Sequence, residues 1–481
     1  MIETLRHQPN INKTRQTSAV NSAKSHNAPC TSPSFCGKIL NFPSPFSKGE
    51  IGINTKLTSQ KDVEMYNALT ALLSASTTEQ TSPLDNVSRL KKLDTLLKNG
   101  TLLKNNSNDN STTLQNLYKI ATEQRTLNLD SAKILGQTID ALYKPETITQ
   151  VFGDIPAEEK TKILQDPNLD PRIRQNPSLL DVTSSGTCVS ASFESHLARR
   201  HPAEFARWAQ EITSPEESIS FTINSSAFNP SYLEAYNILR NMFEIKPEKI
   251  DFNSRDFKFS LKPDKNAKIR ADIQNKYWDK GERNILDVFM QSTLMHSGSE
   301  QTYNTLIDKR EGKFNSNSEG LGEFEKIFLE TIIENEERLS MVYQKVDANQ
   351  NLVGWGCDFA TIQKHIIDTL NMDDDVIIGY VLTNETSGDT MLPGYVNTPD
   401  NAPNKIVNGH EITIVDYKQD KDGKITFMCN DTDDGIDDLV EYSADYLIPK
   451  IHHAGYAAKV VEADYDRITN AVYGNIGNSA A

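Results

Sequence analysis

Three short segments of the sequence carry residues that together could form a nucleophilic thiol site. Cys188 follows a polar, glycine-containing turn and stands where a helical pattern begins. His410 lies at the start of an alternating strand pattern, and Asn430 and Asp431 end the next strand pattern. A cysteine, a histidine and an amide or carboxylate are the parts that such a site needs: a nucleophile, a base to take its proton and a group to orient that base.

The position of Cys188 at a helix start favours its ionised form. The positive end of the helix dipole and the free backbone N–H groups of the first turn both stabilise a thiolate. The same N–H groups can point at the oxyanion that forms during acyl transfer. Gly186 allows the preceding turn to fold tightly. The alternative is a buried cysteine without a chemical role, because free cysteine is among the most buried residue types.

The two strand patterns place the histidine beside its candidate partners. The dipeptide Asp422-Gly423 is a strong hairpin signal between the strand that carries His410 and the strand that ends at Asn430. Either Asn430 or Asp431 could accept the imidazole N–H and leave the other ring nitrogen facing the thiol. The alternatives are a half-buried histidine with a structural role and ordinary turn chemistry at a strand end.

Other residues with reactive side chains form weaker patterns. Cys357 precedes a helix of its own and is a rival nucleophile that we rank below Cys188. His452 and His453 are adjacent but have no acidic or thiol partner at ligand spacing in the sequence, so we expect them at the surface. The sequence shows no Cys/His spacing of the zinc-binding kind. We therefore predict no metal site and no cofactor.

The three segments together resemble the papain-like cysteine peptidase superfamily. Residues 186–191 look like the nucleophile segment of that family, residues 409–417 like its histidine strand and residues 427–431 like its asparagine strand. The resemblance covers about 188–455 and is specific only in these three stretches. It implies an α+β fold in two lobes, one helical and one an antiparallel β lobe, with a cleft between them.

The resemblance also implies an activity and roles for individual residues. It implies peptide-bond hydrolysis through a thioester, in which Cys188 attacks, His410 moves the proton and Asn430 orients the histidine. A protein or peptide is then the expected substrate. The same three residues could instead serve transamidation or deamidation, because only the acceptor differs. A papain-like module that binds a partner without catalysis is the contrasting alternative.

Several positions depart from the family pattern. The family usually has a glutamine six positions before the cysteine, where this chain has Val182; losing one oxyanion donor costs roughly 3–4 kcal/mol of transition-state stabilisation. Ser184 or Ser185 could replace that donor. Val189 follows the nucleophile in place of an aromatic residue, and Asp431 stands where the family usually has serine. The spacing between the cysteine and the histidine exceeds the usual roughly 130–150 residues.

The hydrophobic pattern divides the chain into four regions. Residues 1–60 are basic and rich in Ser, Asn and Pro, which predicts a disordered leader. Residues 61–165 have helical periodicity and occupy the place of a prodomain, so they could cover the cleft. Residues 166–465 form the papain-like domain, with a helical insertion at about 231–345 that would explain the long spacing. Residues 466–481 are expected to be a flexible tail.

Composition limits the partners and the compartment. The net charge of -16 argues against a nucleic acid or an anionic membrane as the main partner. The sequence lacks the long apolar run of a membrane span and the apolar core of an ordinary secretory signal, so we expect a cytoplasmic protein or one exported by a non-classical route. The five cysteines are few and odd in number, so the sequence does not indicate a disulfide scaffold. The oligomeric state stays open.

Overall fold

The protein has a mixed α+β fold with antiparallel sheets. Most of the predicted leader and the two serines Ser184 and Ser185 lie outside the residues that the structure describes. The computed structural model describes residues 57–75, 83–126, 129–183, 186–223, 227, 257–277, 282–299, 301–311, 320–349, 351–383, 406–433 and 438–474.

The described residues contain fourteen α-helices, most of them in the first two thirds of the chain. The helices are α1 (Gln60–Ala75), α2 (Pro83–Lys98), α3 (Thr113–Thr122), α4 (Ser131–Tyr143), α5 (Ala157–Gln165), α6 (Pro171–Gln175), α7 (Cys188–Arg200), α8 (Pro202–Ile212), α9 (Ala267–Tyr277), α10 (Ile285–Gly298), α11 (Glu323–Glu334), α12 (Phe359–Leu370), α13 (Ala444–Leu447) and α14 (Ala458–Tyr473).

The strands of the described residues form one six-stranded antiparallel sheet and three two-stranded pairs. The large sheet has the order β11-β10-β9-β8-β12-β5, and the pairs are β1-β2, β3-β4 and β6-β7. The strands are β1 (Ile219–Ile223), β2 (Phe257–Leu261), β3 (Tyr303–Asn304), β4 (Lys309–Arg310), β5 (Arg338–Val342), β6 (Gln344–Val346), β7 (Leu352–Trp355), β8 (Val376–Thr383), β9 (Ile406–Gln419), β10 (Ile425–Asn430), β11 (Val440–Ser443) and β12 (Ile451–Ala457).

The N-terminal helices form because their apolar residues recur every three or four positions and bury one face. In α1 this face includes Met65, Leu69 and Leu73, all buried. Their core cluster continues without interruption into the buried residues of α7, α8 and α10. The helices of the 61–165 segment therefore share one hydrophobic core with the helix that begins at Cys188.

The six-stranded sheet has a separate core on each face, because successive side chains of a strand point to opposite sides. On β8, Ile377 packs into the core shared with the N-terminal helices, whereas Ile378 packs into a second core. That second core includes buried residues of α12 and α14. The sheet thus lies between two layers of helices, with β9 and β8 as its two central strands.

Two regions differ from the sequence-based expectation. The segment 231–345, predicted to be mostly helical, contains strands β2 to β5 within its described part; β5 is held as a strand by pairing with β12. The segment from 466, predicted to be a flexible tail, is helical up to Tyr473 because Ile468 is fully buried in the second core. Strands β9 and β10 confirm the two strand patterns predicted around His410 and before Asn430, although β9 extends further at both ends.

Among the described residues, no helix combines the length and the apolar character that crossing a membrane requires.

Candidate active site

The candidate nucleophile is the first residue of a buried helix. Helix α7 begins at Cys188, after Thr187 at the N-cap position, and Cys188 itself is half-buried. Thr187 does not cap the helix through its hydroxyl, which instead accepts a hydrogen bond of 2.5 Å from Arg283. The backbone N–H groups of the first turn of a helix have no acceptor within the helix. They are therefore available to stabilise negative charge beside Cys188.

A buried arginine holds the turn before the nucleophile in place. Arg283 is fully buried, forms an ion pair with Asp308 at 3.1 Å and donates to the backbone carbonyl of Gln150 as well as to Thr187. Its guanidinium also lies 3.7 Å from the centroid of the Phe152 ring. Removing one partner of a buried ion pair typically costs about 3–5 kcal/mol, so Arg283 is held firmly in place by Asp308. Its hydrogen bond to Thr187 therefore gives the turn a rigid support.

The candidate base lies on the large sheet, opposite the start of α7. His410 belongs to β9 and pairs with Tyr380 of β8. Its Nε2 lies 2.8 Å from Oδ1 of Asp431, and its side chain is also close enough to Cys188 for the thiol to influence its pKa. Since Asp431 occupies Nε2, Nδ1 is the ring nitrogen left for the thiol. The structure therefore brings three of the predicted residues, Cys188, His410 and Asp431, into one chain of contacts.

The electrostatic setting of His410 favours its protonated form. Burial alone would lower the pKa of the imidazole, but the hydrogen bond to Asp431 and the interaction with Cys188 outweigh burial. The pKa of His410 is held well above its usual value as a result. A protonated imidazole between a carboxylate and a thiol is the arrangement in which a thiolate is stabilised by a positive charge.

The two neighbours at the end of β10 have different surroundings. Asp431 contacts His410, whereas the amide of Asn430 donates to the hydroxyl of Ser195 on α7 at 2.9 Å and does not contact the histidine. Consecutive residues of an extended chain point to opposite sides, so only one of the two can face the imidazole. The resemblance gave this place to Asn430, and the structure puts Asp431 there.

Three further residues lie at the site without having been singled out in the sequence. The ring of Tyr380 packs edge-on against His410, with 5.6 Å between centroids, and is close enough to Cys188 to interact electrostatically. Asp433 interacts electrostatically with His410, and its pKa is raised chiefly by burial. The Gln150 backbone N–H donates to Thr432 at 3.0 Å. Tyr380 reaches the site through strand pairing, and Gln150 reaches it from the N-terminal helical region.

The family's side-chain oxyanion donor has no counterpart at position 182. The side chain of Val182 packs against the helical core, and its backbone carbonyl accepts a hydrogen bond of 2.8 Å from Arg270. The two serines predicted as replacements, Ser184 and Ser185, lie outside the described residues. The backbone N–H of Cys188 belongs to the first turn of α7, where N–H groups have no acceptor within the helix.

The other described cysteines have poor surroundings for a nucleophile. Burial raises the pKa of the Cys357 thiol to about 11, and nearby acidic groups contribute to the increase. Cys429 is fully buried in the second core, and burial raises the pKa of its thiol even more strongly. Burial therefore keeps both thiols protonated at neutral pH, whereas Cys188 interacts with the imidazole of His410.

Two clusters of histidine and glutamate have potential ligand atoms close together. One consists of His196, His201 and Glu334, and the other of Glu323, His452 and His453. The second cluster corrects the expectation that the adjacent histidines lack an acidic partner. That partner comes from the start of α11, which is distant in the sequence but adjacent in the fold.

Comparison with known proteins leaves the site to be judged on its own geometry: no protein-family model, no curated protein and no solved structure matches the chain.

Proposed function

We propose that the protein is a thiol-dependent hydrolase that cleaves amide bonds of a protein or peptide through a Cys188-His410-Asp431 triad. The observation that carries the proposal is the position of His410, which interacts with Cys188 and is hydrogen-bonded to Asp431 through Nε2. A papain-like arrangement, with the nucleophile on a helical part and the base on an antiparallel sheet, is part of the same proposal.

The proposed reaction uses side-chain and backbone groups of the chain together with one water molecule. The Cys188 thiolate attacks the amide carbonyl carbon, and the imidazolium of His410 gives its proton to the leaving amine as the carbon–nitrogen bond breaks. Water then attacks the thioester while the neutral His410 takes a proton from it, and the carbon–sulfur bond breaks to restore the thiolate. The backbone N–H of Cys188 stabilises the oxyanion in both steps.

Asp431 and the buried support of the turn have positioning roles in this proposal. Asp431 fixes the ring of His410 with Nδ1 towards the thiol and stabilises its positive charge. Arg283 fixes Thr187 and so the start of α7. Because a misplacement of about 1 Å can cost about 100-fold in rate, rigid support on both sides of the site favours catalysis.

The proposal is tested with a fluorogenic tetrapeptide library and with glutamine-containing peptides whose ammonia release is followed. The expected result is amide hydrolysis by the full chain that Cys188→Ala and His410→Ala abolish and that the matched control Cys357→Ala leaves unchanged. Cys188-dependent ammonia release without backbone cleavage would make the enzyme a deamidase. Hydrolysis that persists at the wild-type rate in Cys188→Ala would overturn the triad.

A further inference from the structure

We propose that Glu323, His452 and His453 form a binding site for a divalent zinc-type ion that joins the start of α11 to strand β12. The Nδ1 atoms of the two histidines lie 3.0 Å apart, and Oε1 of Glu323 lies 3.7 Å from the first and 3.9 Å from the second. Two imidazole nitrogens and one carboxylate oxygen are a ligand set that zinc uses in proteins.

The two separations that involve Glu323 fit a shared ion better than direct hydrogen bonds. With zinc–ligand bonds of about 2.0–2.2 Å, the ligand atoms of a tetrahedral site lie about 3.3–3.6 Å from one another. The three observed separations scatter around that length. A hydrogen bond between the two histidines would explain 3.0 Å, but the carboxylate is too far from both nitrogens to bond either directly.

A strand irregularity brings the two adjacent histidines together. In a regular strand, neighbours point to opposite faces of the sheet. Between Ile451 and His453, however, the pairing of β12 with β8 shifts register, with two steps along β12 matching one step along β8. A β-bulge of this kind redirects side chains, and such bulges are over-represented beside functional sites.

A contact with Glu411, outside the cluster, orients the ring of His453 towards the proposed site. Nε2 of His453 lies 2.9 Å from Oε1 of Glu411, whose other oxygen is bonded to Lys326 at 2.9 Å. The two side chains meet across Gly379, which is paired with both and where a Cβ atom would lie 2.2 Å from the His453 ring. A carboxylate that accepts a hydrogen bond from Nε2–H fixes the tautomer and leaves the Nδ1 lone pair for a metal, as in many zinc sites.

The other histidine–glutamate cluster serves as the contrast. In that cluster Nε2 of His196 lies 2.6 Å from Oε1 of Glu334, a direct hydrogen bond. Nδ1 of the same ring bonds Asp375, which also pairs with Arg200 at 2.7 Å. These contacts form an ion-pair network. Arg200 already supplies the positive charge that a metal ion would bring to it. The observations therefore favour the cluster at Glu323 for a metal.

The test measures zinc binding to the full chain by calorimetry and by metal content after dialysis, with Cys188→Ala as the parent so that zinc cannot occupy the thiol site. We expect Glu323→Gln and His452→Asn each to remove one bound ion per chain. Glu411→Gln is expected to lower the affinity for that ion roughly 10- to 100-fold, the usual effect of removing a hydrogen-bond partner of a metal ligand. His201→Asn, the matched control from the other cluster, is expected to leave binding unchanged.

Three results would overturn the proposal: absence of saturable zinc binding by the folded parent, unchanged affinity in Glu323→Gln, or loss of the ion in His201→Asn alone. Circular dichroism of each variant shows that it is folded. Glu323 is half-buried at a helix start, so its replacement by glutamine keeps the shape of the site and removes only the charge.

Discussion

Nε2 of His410 lies 2.8 Å from Oδ1 of Asp431, across the pairing of strands β9 and β10. This contact decides which ring nitrogen is left for Cys188, and it supplies the negative charge that favours the imidazolium. Replacing Asp431 by alanine is therefore expected to slow turnover by about 10²- to 10⁴-fold, because misplacement of a catalytic group by about 1 Å can cost about 100-fold and loss of the orienting carboxylate of a triad about 10⁴-fold.

Asn430→Ala is the matched control for that prediction. This substitution removes the hydrogen bond from the Asn430 amide to Ser195, which is worth about 1 kcal/mol of stability. It leaves the contact between Asp431 and His410 in place. Turnover of the two folded variants is compared on the same fluorogenic peptide. An equal loss of rate in both variants would show that Asp431 does not orient His410.

The pH dependence of turnover follows from the raised pKa of His410. The leaving amine needs the imidazolium, so kcat/KM is expected to fall as the pH rises through the pKa of His410, which lies well above the usual histidine value. Asp431→Asn removes the negative charge and is expected to move this fall to lower pH by about 1–3 units. A pH–rate profile for each protein measures the shift, and identical alkaline limbs would contradict the account.

Stability at alkaline pH is expected to depend on His196. Burial would lower the pKa of His196, but hydrogen bonds to Asp375 and Glu334 raise it to about 10. A raised pKa means that the contribution to stability is complete below the unfolded value of about 6.5 and is lost as the pH rises through about 10. Urea unfolding of the wild type and of His196→Gln should therefore differ most near pH 6 and least near pH 10.

His365→Gln is the control for the stability experiment. Burial lowers the pKa of His365, so this group cannot produce a loss of stability between pH 6.5 and 10. A stability difference for His196→Gln that stays constant from pH 6 to pH 10 would show that the ion-pair network does not hold its proton.

Gly379 is expected to tolerate no side chain. A Cβ atom there would lie 2.2 Å from the His453 ring and 2.7 Å from Glu411, whereas a Cβ at Gly409 on the neighbouring strand would approach only the Tyr380 carbonyl, at 3.4 Å. Gly379→Ala should lower the free energy of unfolding by about 1–3 kcal/mol, the usual cost of overpacking, and Gly409→Ala by less than about 1 kcal/mol. Chemical denaturation measures both, and equal values would contradict the close contact.

The sequence predicted the elements of the site better than its contacts. Local patterns are sufficient to place Cys188 at a helix start and His410 on a strand, because periodicity and turn residues act over a few positions. The choice between Asn430 and Asp431 needs the direction in which the chain faces at the end of β10, where the pairing with β9 shifts register after Met428. A single sequence does not reveal such a shift.

The partners that arrive from distant segments were not predictable from local patterns. Gln150 reaches the site from the N-terminal helical region, and Arg283 reaches the turn before Cys188 from the start of α10. Glu323 joins His452 and His453 only because α11 packs beside β12. Each of these contacts depends on how distant elements pack, which requires the tertiary fold.

The most direct test of the triad is labelling with iodoacetamide across pH, with mass mapping of every modified cysteine. A thiolate–imidazolium pair predicts selective modification of Cys188 near pH 6, much faster than that of Cys357, and loss of this reactivity in His410→Ala. Slow and even labelling of all cysteines that rises only above about pH 8, the range of an ordinary thiol, would contradict an assembled site.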